Sequence, residues 1–361
     1  MRPSWAEIDL TAVGENVESF RSHLGDTALC AVVKADAYGH GDVPVAETAL
    51  EHGATWLAVA LLEEGIRLRE ADVDAPILLL SEPAAADAAV VAEWGLTPTV
   101  YRPDFLEALA EHRHGVRSIH LKLDTGMHRV GSDLATISAI AHRAAALGLE
   151  VGGLWTHFAS SESDPDFTEL QVALLADAVE HLRDILPDDV IVHHSNTGGA
   201  ILHGGGDLAR VGLGLYGLYP SESCRPLLRL RPAMRVVSHV SHVHRLPAGA
   251  RPSYGRRRPL PADSNVATVP IGYADGVPRL LSDEGEVLIG GVRRPLAGTV
   301  TMDQIVVDCG DHLVEVGDEV VLIGTQGEAE VTADEWAALA GTINYEIVCG
   351  IGPRLPRRFI E

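Results

Sequence analysis

The chain has 361 residues, 46% of them hydrophobic, and a formal net charge of −23. That length and apolar content suit a large core shared between two domains, and so acidic a chain repels phosphate backbones, which argues against nucleic acid as a partner. No window is long and apolar enough to span a bilayer, residues 1–10 lack the pattern of a signal peptide, and the four separated cysteines (Cys30, Cys224, Cys309, Cys349) fit reduced thiols, so no membrane association and a cytoplasmic location are expected.

From residue 28 onward short apolar runs alternate with amphipathic stretches. The runs 28–34, 55–61, 76–81, 96–101, 118–124, 150–157, 190–195 and 208–215 have the length and β-branched content of buried parallel strands. The clearest helix follows Asp164, an N-cap with Pro165 at the first helical position. Its apolar stripe is read as Phe167, Leu170, Leu174, Ala178, Leu182 and Ile185. A short, weak helix is expected at 197–203. Eight strands alternating with helices predict an α/β fold, a (β/α)8 TIM-like barrel, with an open doubly wound sheet as the structural alternative.

Beyond Leu230 the runs 234–246, 265–273, 286–300, 304–308 and 318–323 follow one another without helices. Only 332–339 reads as a helix, opened by a Thr332/Glu335 capping box. The chain therefore divides into a barrel domain at 1–229 and a mainly β C-terminal domain at 230–361, with the first strand a candidate member of the second.

The chain carries 28 Lys plus Arg, and only Lys34 and Lys122 are lysines. Lysine can lose its proton and become a nucleophile; arginine effectively cannot. Barrel enzymes build their sites where the strands end. Lys34 closes the first expected strand, Lys122 lies near the end of the fifth with Arg129 in the loop beyond, His157 closes the sixth, Ser195 the seventh, and Arg210 lies on the eighth. Both lysines thus fall on one rim, and a desolvated lysine there can form a Schiff base with a carbonyl. Gly212-Leu213-Gly214-Leu215-Tyr216-Gly217 matches GxGxxG, but Tyr219-Pro220 follows where a dinucleotide site needs a helix; a backbone cradle for phosphate at Gly212 and Leu213 fits better. His239, His242 and His244 read as strand residues, and no metal site is expected. His193-His194 suits strand packing as well as function.

Val32-Val33-Lys34-Ala35-Asp36-Ala37-Tyr38-Gly39-His40-Gly41 resembles the pyridoxal-phosphate signature of the alanine racemase family. The resemblance runs through nearly the whole chain, at Leu121-Lys122-Leu123-Asp124-Thr125-Gly126-Met127, Thr156-His157-Phe158, His194-Ser195-Asn196, Arg210-Val211-Gly212-Leu213, Ser253-Tyr254-Gly255, Ile271-Gly272-Tyr273-Ala274-Asp275-Gly276, Met302-Asp303-Gln304 and Tyr345-Glu346-Ile347-Val348. It implies a barrel followed by a β domain, pyridoxal 5'-phosphate as cofactor, L- and D-alanine as substrates, D-alanine for the cell wall as the product's use, and a homodimer with shared sites. Lys34 is implied as the cofactor's covalent anchor and the base on one face of the substrate, Tyr254 as the base on the other. Arg210 is implied at the pyridine nitrogen, with His157 supporting the ring and Arg210. Tyr38, Ser195, Gly212, Leu213 and Tyr345 are implied at the phosphate. Arg129 and Met302 are implied at the substrate carboxylate, and Lys122 as a lysine that carbamylation turns into an orienting group for Arg129. His128, Thr301 and Cys349-Gly350 depart from the family pattern, and His128 stands beside Arg129, where it bears on substrate preference. A racemase accepting serine or other small amino acids, a decarboxylase on the same scaffold and a non-catalytic cofactor carrier are the competing expectations.

Overall fold

The computed structural model describes residues 2–361. It contains two compact units: Ala12–Ala37 with Asp42–Arg231, and the segment up to Thr11 with Tyr38–Gly41 and Pro232–Glu361. After a first strand β1 (Trp5–Asp9), which belongs to the second of these, the chain forms eight parallel strands in the first: β2 (Ala28–Val32), β3 (Trp56–Val59), β4 (Ile77–Leu79), β5 (Thr97–Val100), β6 (Ile119–Lys122), β7 (Val151–Trp155), β8 (Ile191–His193) and β9 (Leu208–Val211). They are ordered β8-β7-β6-β5-β4-β3-β2-β9, with helices between them, in a nearly closed barrel. Most of their side chains are buried, as expected of strands covered on both faces. No ladder joins β8 to β9. The gap is spanned by the Asp207 amide donating to Val192 O at 3.0 Å, the Val192 amide donating to Asp207 Oδ2 at 2.8 Å, and the Arg210 amide donating to Ser195 O at 3.1 Å.

Helix Pro165–Leu182 forms where Asp164 caps it, accepting the Phe167 amide, but its buried face is not the expected stripe. Leu170 and Leu174 are exposed, while Thr168, Gln171, Leu175, Ala178 and Leu182 are buried. Two polar residues displace two leucines because both are satisfied inside. Thr168 donates to Asp164 O at 2.8 Å. Gln171 accepts the Ala159 amide at 3.0 Å and donates to Thr125 Oγ1 and His157 O, both at 3.1 Å.

In the other unit, β10 (Met234–His239), β11 (His242–Leu246), β12 (Ser264–Val269), β13 (Glu286–Ile289), β14 (Val292–Pro295), β15 (Ile305–Asp308), β16 (Glu319–Gln326), β17 (Ala329–Val331) and β18 (Arg357–Ile360) form two sheets. One is ordered β14-β13-β16-β10-β1-β18, with β17 on β16; the other is β11-β12-β15. The run expected as one strand at 234–246 is two strands in different sheets. The run at 286–300 is a hairpin that turns at Gly290-Gly291, both at positive φ as a tight two-residue turn requires. Helix Ala333–Ala340 starts at Thr332, whose hydroxyl accepts the Glu335 amide. A second helix, Asn344–Cys349, was not expected; six residues are too few to show helical periodicity.

Replacing Gln171 by Leu keeps its bulk and strands the Ala159 amide and His157 O, while Thr125 Oγ1 keeps its bond to Thr156 Oγ1. The expected cost is about 1–3 kcal/mol, against about 0.5 kcal/mol or less for Leu174→Ser, both read by urea unfolding.

Candidate active site

The strand ends place the chemistry. Lys122 is the last residue of β6, and Arg210 lies within β9. Lys34, His157 and Ser195 each sit two residues past a strand, beyond β2, β7 and β8. The barrel unit thereby groups Lys34, Lys122, Arg129, His157 and Arg210 closely enough for their charges to act on one another.

Arg210 is buried, and no carboxylate pairs with it among the described residues. Its Nη2 donates to Thr156 O and His194 O, both at 3.0 Å, and lies 3.4 Å from His157 Nδ1; its Nη1 donates to His193 Nδ1 at 2.7 Å. A guanidinium only donates, so His193 Nδ1 is an acceptor and its proton lies on Nε2. That proton goes to His120 Nδ1, 2.9 Å away. The remaining His120 Nε2–H is buried with no hydrogen-bond partner among the described residues. Burial first, and then the Arg210 charge, push His120 down to about 3 and His193 and His157 well below the usual imidazole range. All three are neutral at pH 7. Burial also pulls Arg210 down to about 10, which leaves it charged.

Lys122 Nζ lies 4.0 Å, and Arg210 Cζ 4.4 Å, from the centre of the Trp155 ring. Cation–π attraction holds both groups there. Desolvation, and then repulsion by Arg210 and Arg129, lower Lys122 to about 7. Arg129 is exposed, and it makes no hydrogen bond or ion pair with any described residue. In a chain with 51 acidic side chains, that leaves a guanidinium available to a carboxylate from outside. Its neighbour His128, at φ +52°, donates its amide to Asp124 Oδ1, and its Nδ1 lies 3.0 Å from Asp124 Oδ2.

After Lys34 the backbone turns left-handed. Ala35, Asp36, Ala37 and Tyr38 have φ of 52°, 54°, 51° and 55°, and Gly39 follows at 82°. Each such L-residue costs roughly 1–2 kcal/mol, so the surroundings must hold the turn. Glu64 accepts the Ala35 amide at 2.6 Å, Val33 O accepts the Ala37 amide at 2.8 Å, and Arg357 Nε donates to Gly39 O at 2.9 Å. The turn carries Tyr38 into the second unit, where its ring lies 6.2 Å from that of Tyr345. Burial, then the nearby Cys349, raises the Tyr38 phenol above its ordinary range, so it stays protonated as a donor.

Gly212 and Leu213 open a 3₁₀ turn after β9, at Leu213–Tyr216, in place of the long helix a dinucleotide would need. The Ser195 hydroxyl donates to Gly204 O and lies 2.9 Å from His194 Nδ1. The hydroxyl that meets the turn is Thr197 Oγ1, which accepts the Gly212 amide at 3.1 Å and the Gly214 amide at 3.5 Å. Sequence reading missed Thr197 because Asn196, the N-cap of helix Thr197–Leu202, hides which neighbouring hydroxyl faces the glycines. It also passed over Trp155, whose place at a strand end was visible. In the β unit, Tyr254 and Met302 are exposed and line one surface concavity with Tyr273 and Arg279. His242 and His244 lie with ring centres 5.1 Å apart, and no cluster of metal-binding side chains occurs among the described residues.

The model of the alanine racemase N-terminal domain matches residues 8–220, and that of the C-terminal domain matches residues 233–359. The chain belongs to the alanine racemase family. The alanine racemase of Symbiobacterium thermophilum is 42% identical over 99% of this chain and 97% of its own, and that of Synechocystis is 42% identical over 99% of both. Among solved structures, alanine racemase from Bacillus anthracis with bound L-Ala-P superposes with a TM-score of 0.93 at 36% identity, covering all of this chain and 96% of that one. The alanine racemase of a D-cycloserine-producing Streptomyces lavendulae gives 0.94 at 37% identity, covering all of this chain and 98% of that one.

The Lys122 amine has a testable consequence. It should react with acetic anhydride with a midpoint near pH 7, rate falling as pH falls and protonation removes the nucleophile. Arg210→Met should raise that midpoint yet leave it below the ordinary lysine value of about 10.4, since desolvation remains. Mass spectrometry reads the two lysines of the chain separately.

Proposed function

We propose that this protein interconverts L- and D-alanine with pyridoxal 5'-phosphate as cofactor, in the cytoplasm, as a homodimer whose D-alanine product serves cell-wall synthesis. The observation that carries the reading is the buried, carboxylate-free Arg210 among neutral imidazoles, on the same rim as Lys34.

The residues suit the cofactor. Arg210 has N–H groups to offer a ring nitrogen, His157 lies beside it, and Tyr38, Tyr345, Ser195, Thr197 and the Gly212-Leu213 turn would supply phenols, hydroxyls and backbone to a phosphate. To Ser195 we add Thr197 as a second hydroxyl for the phosphate, since its Oγ1 meets the Gly212 amide. When bound, pyridoxal phosphate supplies an aldehyde that condenses with amines and a conjugated ring that withdraws electrons from the adjacent carbon.

The chain's own groups then move the proton. Racemisation takes it from one face of Cα and returns one to the other, so two bases on opposite sides are needed. Lys34 serves one face and Tyr254 the other. A charged Arg210 would keep a ring nitrogen held there unprotonated, which would restrain electron withdrawal and limit side reactions. Arg129 and the Met302 backbone hold the substrate carboxylate, and carbamylated Lys122 orients Arg129; an amine lowered to about 7 is neutral often enough to take up carbon dioxide. Tyr254 and Met302, exposed in one chain, complete the site of its dimer partner.

In heavy water the cofactor-loaded protein should convert L-alanine to D-alanine with deuterium at Cα. Loaded enzyme without such exchange defeats the reading, and carbon dioxide release from lysine, ornithine or diaminopimelate would install a decarboxylase in its place. Lys34→Arg keeps the charge and removes the base, and Tyr254→Phe removes the opposite one. Each should lower kcat by about a hundredfold or more.

A further inference from the structure

Helix Leu62–Glu70 presents Glu64 and Arg67, three residues apart and so on one face. Glu64 is buried, and its carboxylate accepts three backbone amides. Oε2 takes those of Ala60 and Leu61, at 2.8 and 2.9 Å. That is the ordinary work of a glutamate in the first turn of its own helix. Oε1 does something a helix cap does not need: it accepts the Ala35 amide at 2.6 Å. Arg67 Nε donates to Asp42 Oδ2 at 2.5 Å, and the Asp42 amide donates to Asp36 Oδ1 at 3.1 Å. One helix face therefore holds the left-handed turn at its first residue and, through Asp42, at its second.

We propose that Glu64 and Arg67 are positioning residues for Lys34, a two-point brace that sets the direction in which the lysine amine leaves the strand end. The peptide between Lys34 and Ala35 is planar, so a bond that fixes the Ala35 N–H fixes Lys34 ψ. Backbone angles in turn select side-chain rotamers. With Oε1 removed, the left-handed residues are free to relax and the amine swings with them. Reading this as control of catalysis rests on Lys34 being the base on one face of the substrate.

Wild type, Glu64→Gln and Arg67→Gln are compared. Arg67 is half-exposed, so its variant keeps the fold even if the other does not. In cofactor-free protein the brace predicts faster hydrogen exchange at the Ala35 amide and an altered rate of Lys34 acetylation in both variants, more strongly in Glu64→Gln. In the holoenzyme kcat should fall about tenfold or more in Glu64→Gln, with KM for alanine changed less. With α-deuterated L- and D-alanine, the primary isotope effect should grow in one direction only, because Lys34 handles the proton of one enantiomer. Unchanged Ala35 exchange and Lys34 labelling overturn the brace. So does a loss of kcat with isotope effects altered equally in both directions, the mark of general loosening. Wild-type protein that exchanges no α-proton overturns the alanine reading alone, and the two cofactor-free measurements still decide the brace.

Discussion

Arg210 has to keep its proton inside a barrel, and much of the surrounding rim follows from that. Burying an unpaired ion costs several kcal/mol unless hydrogen-bond acceptors compensate it. None of the chain's 51 acidic side chains pairs with it; two carbonyls and an imidazole nitrogen accept instead. A carboxylate there would neutralise the charge. Carbonyls and imidazoles leave it in force, and it acts on everything near. Burial is the larger cause, and the Arg210 charge adds to it, in keeping His157, His193 and His120 neutral and Lys122 near neutrality; Arg210 also fixes the direction of the His193–His120 hydrogen bond. Trp155 softens the repulsion between the two cations by lying under both.

The second constraint is in the backbone. Four consecutive L-residues in left-handed geometry are strained wherever they occur, and here they begin immediately after Lys34. Strain of this kind persists only where the surrounding contacts over-determine it. Glu64, Asp36, Val33 O and Arg357 supply those contacts. The result is a lysine at the strand end followed closely by a buried phenol.

Buried parallel strands announce themselves by continuous apolar runs, so the barrel was readable. Helix Pro165–Leu182 was located correctly and oriented wrongly, because hydrophobicity alone ranks Leu170 and Leu174 above Gln171, whereas three satisfied hydrogen bonds decide the matter. The left-handed turn was not legible: an Ala-Asp-Ala stretch has no local preference for positive φ. Thr197 and Ser195 are two residues apart beside one cap, and only the path of β9 tells which hydroxyl meets the glycines.

The sequence by itself determined the class of chemistry. Two lysines in an arginine-rich chain, one in a family signature and both at expected strand ends, are amines able to lose a proton where arginine is not, and that is a property of residue type. Tertiary structure alone decided the electrostatics and the aim: which groups share the interior with Arg210, which tautomers its donors impose, and how the Lys34 backbone is held. Those depend on distances between residues far apart in the chain, and burial turns such distances into pKa shifts and strain that no local pattern of residues records.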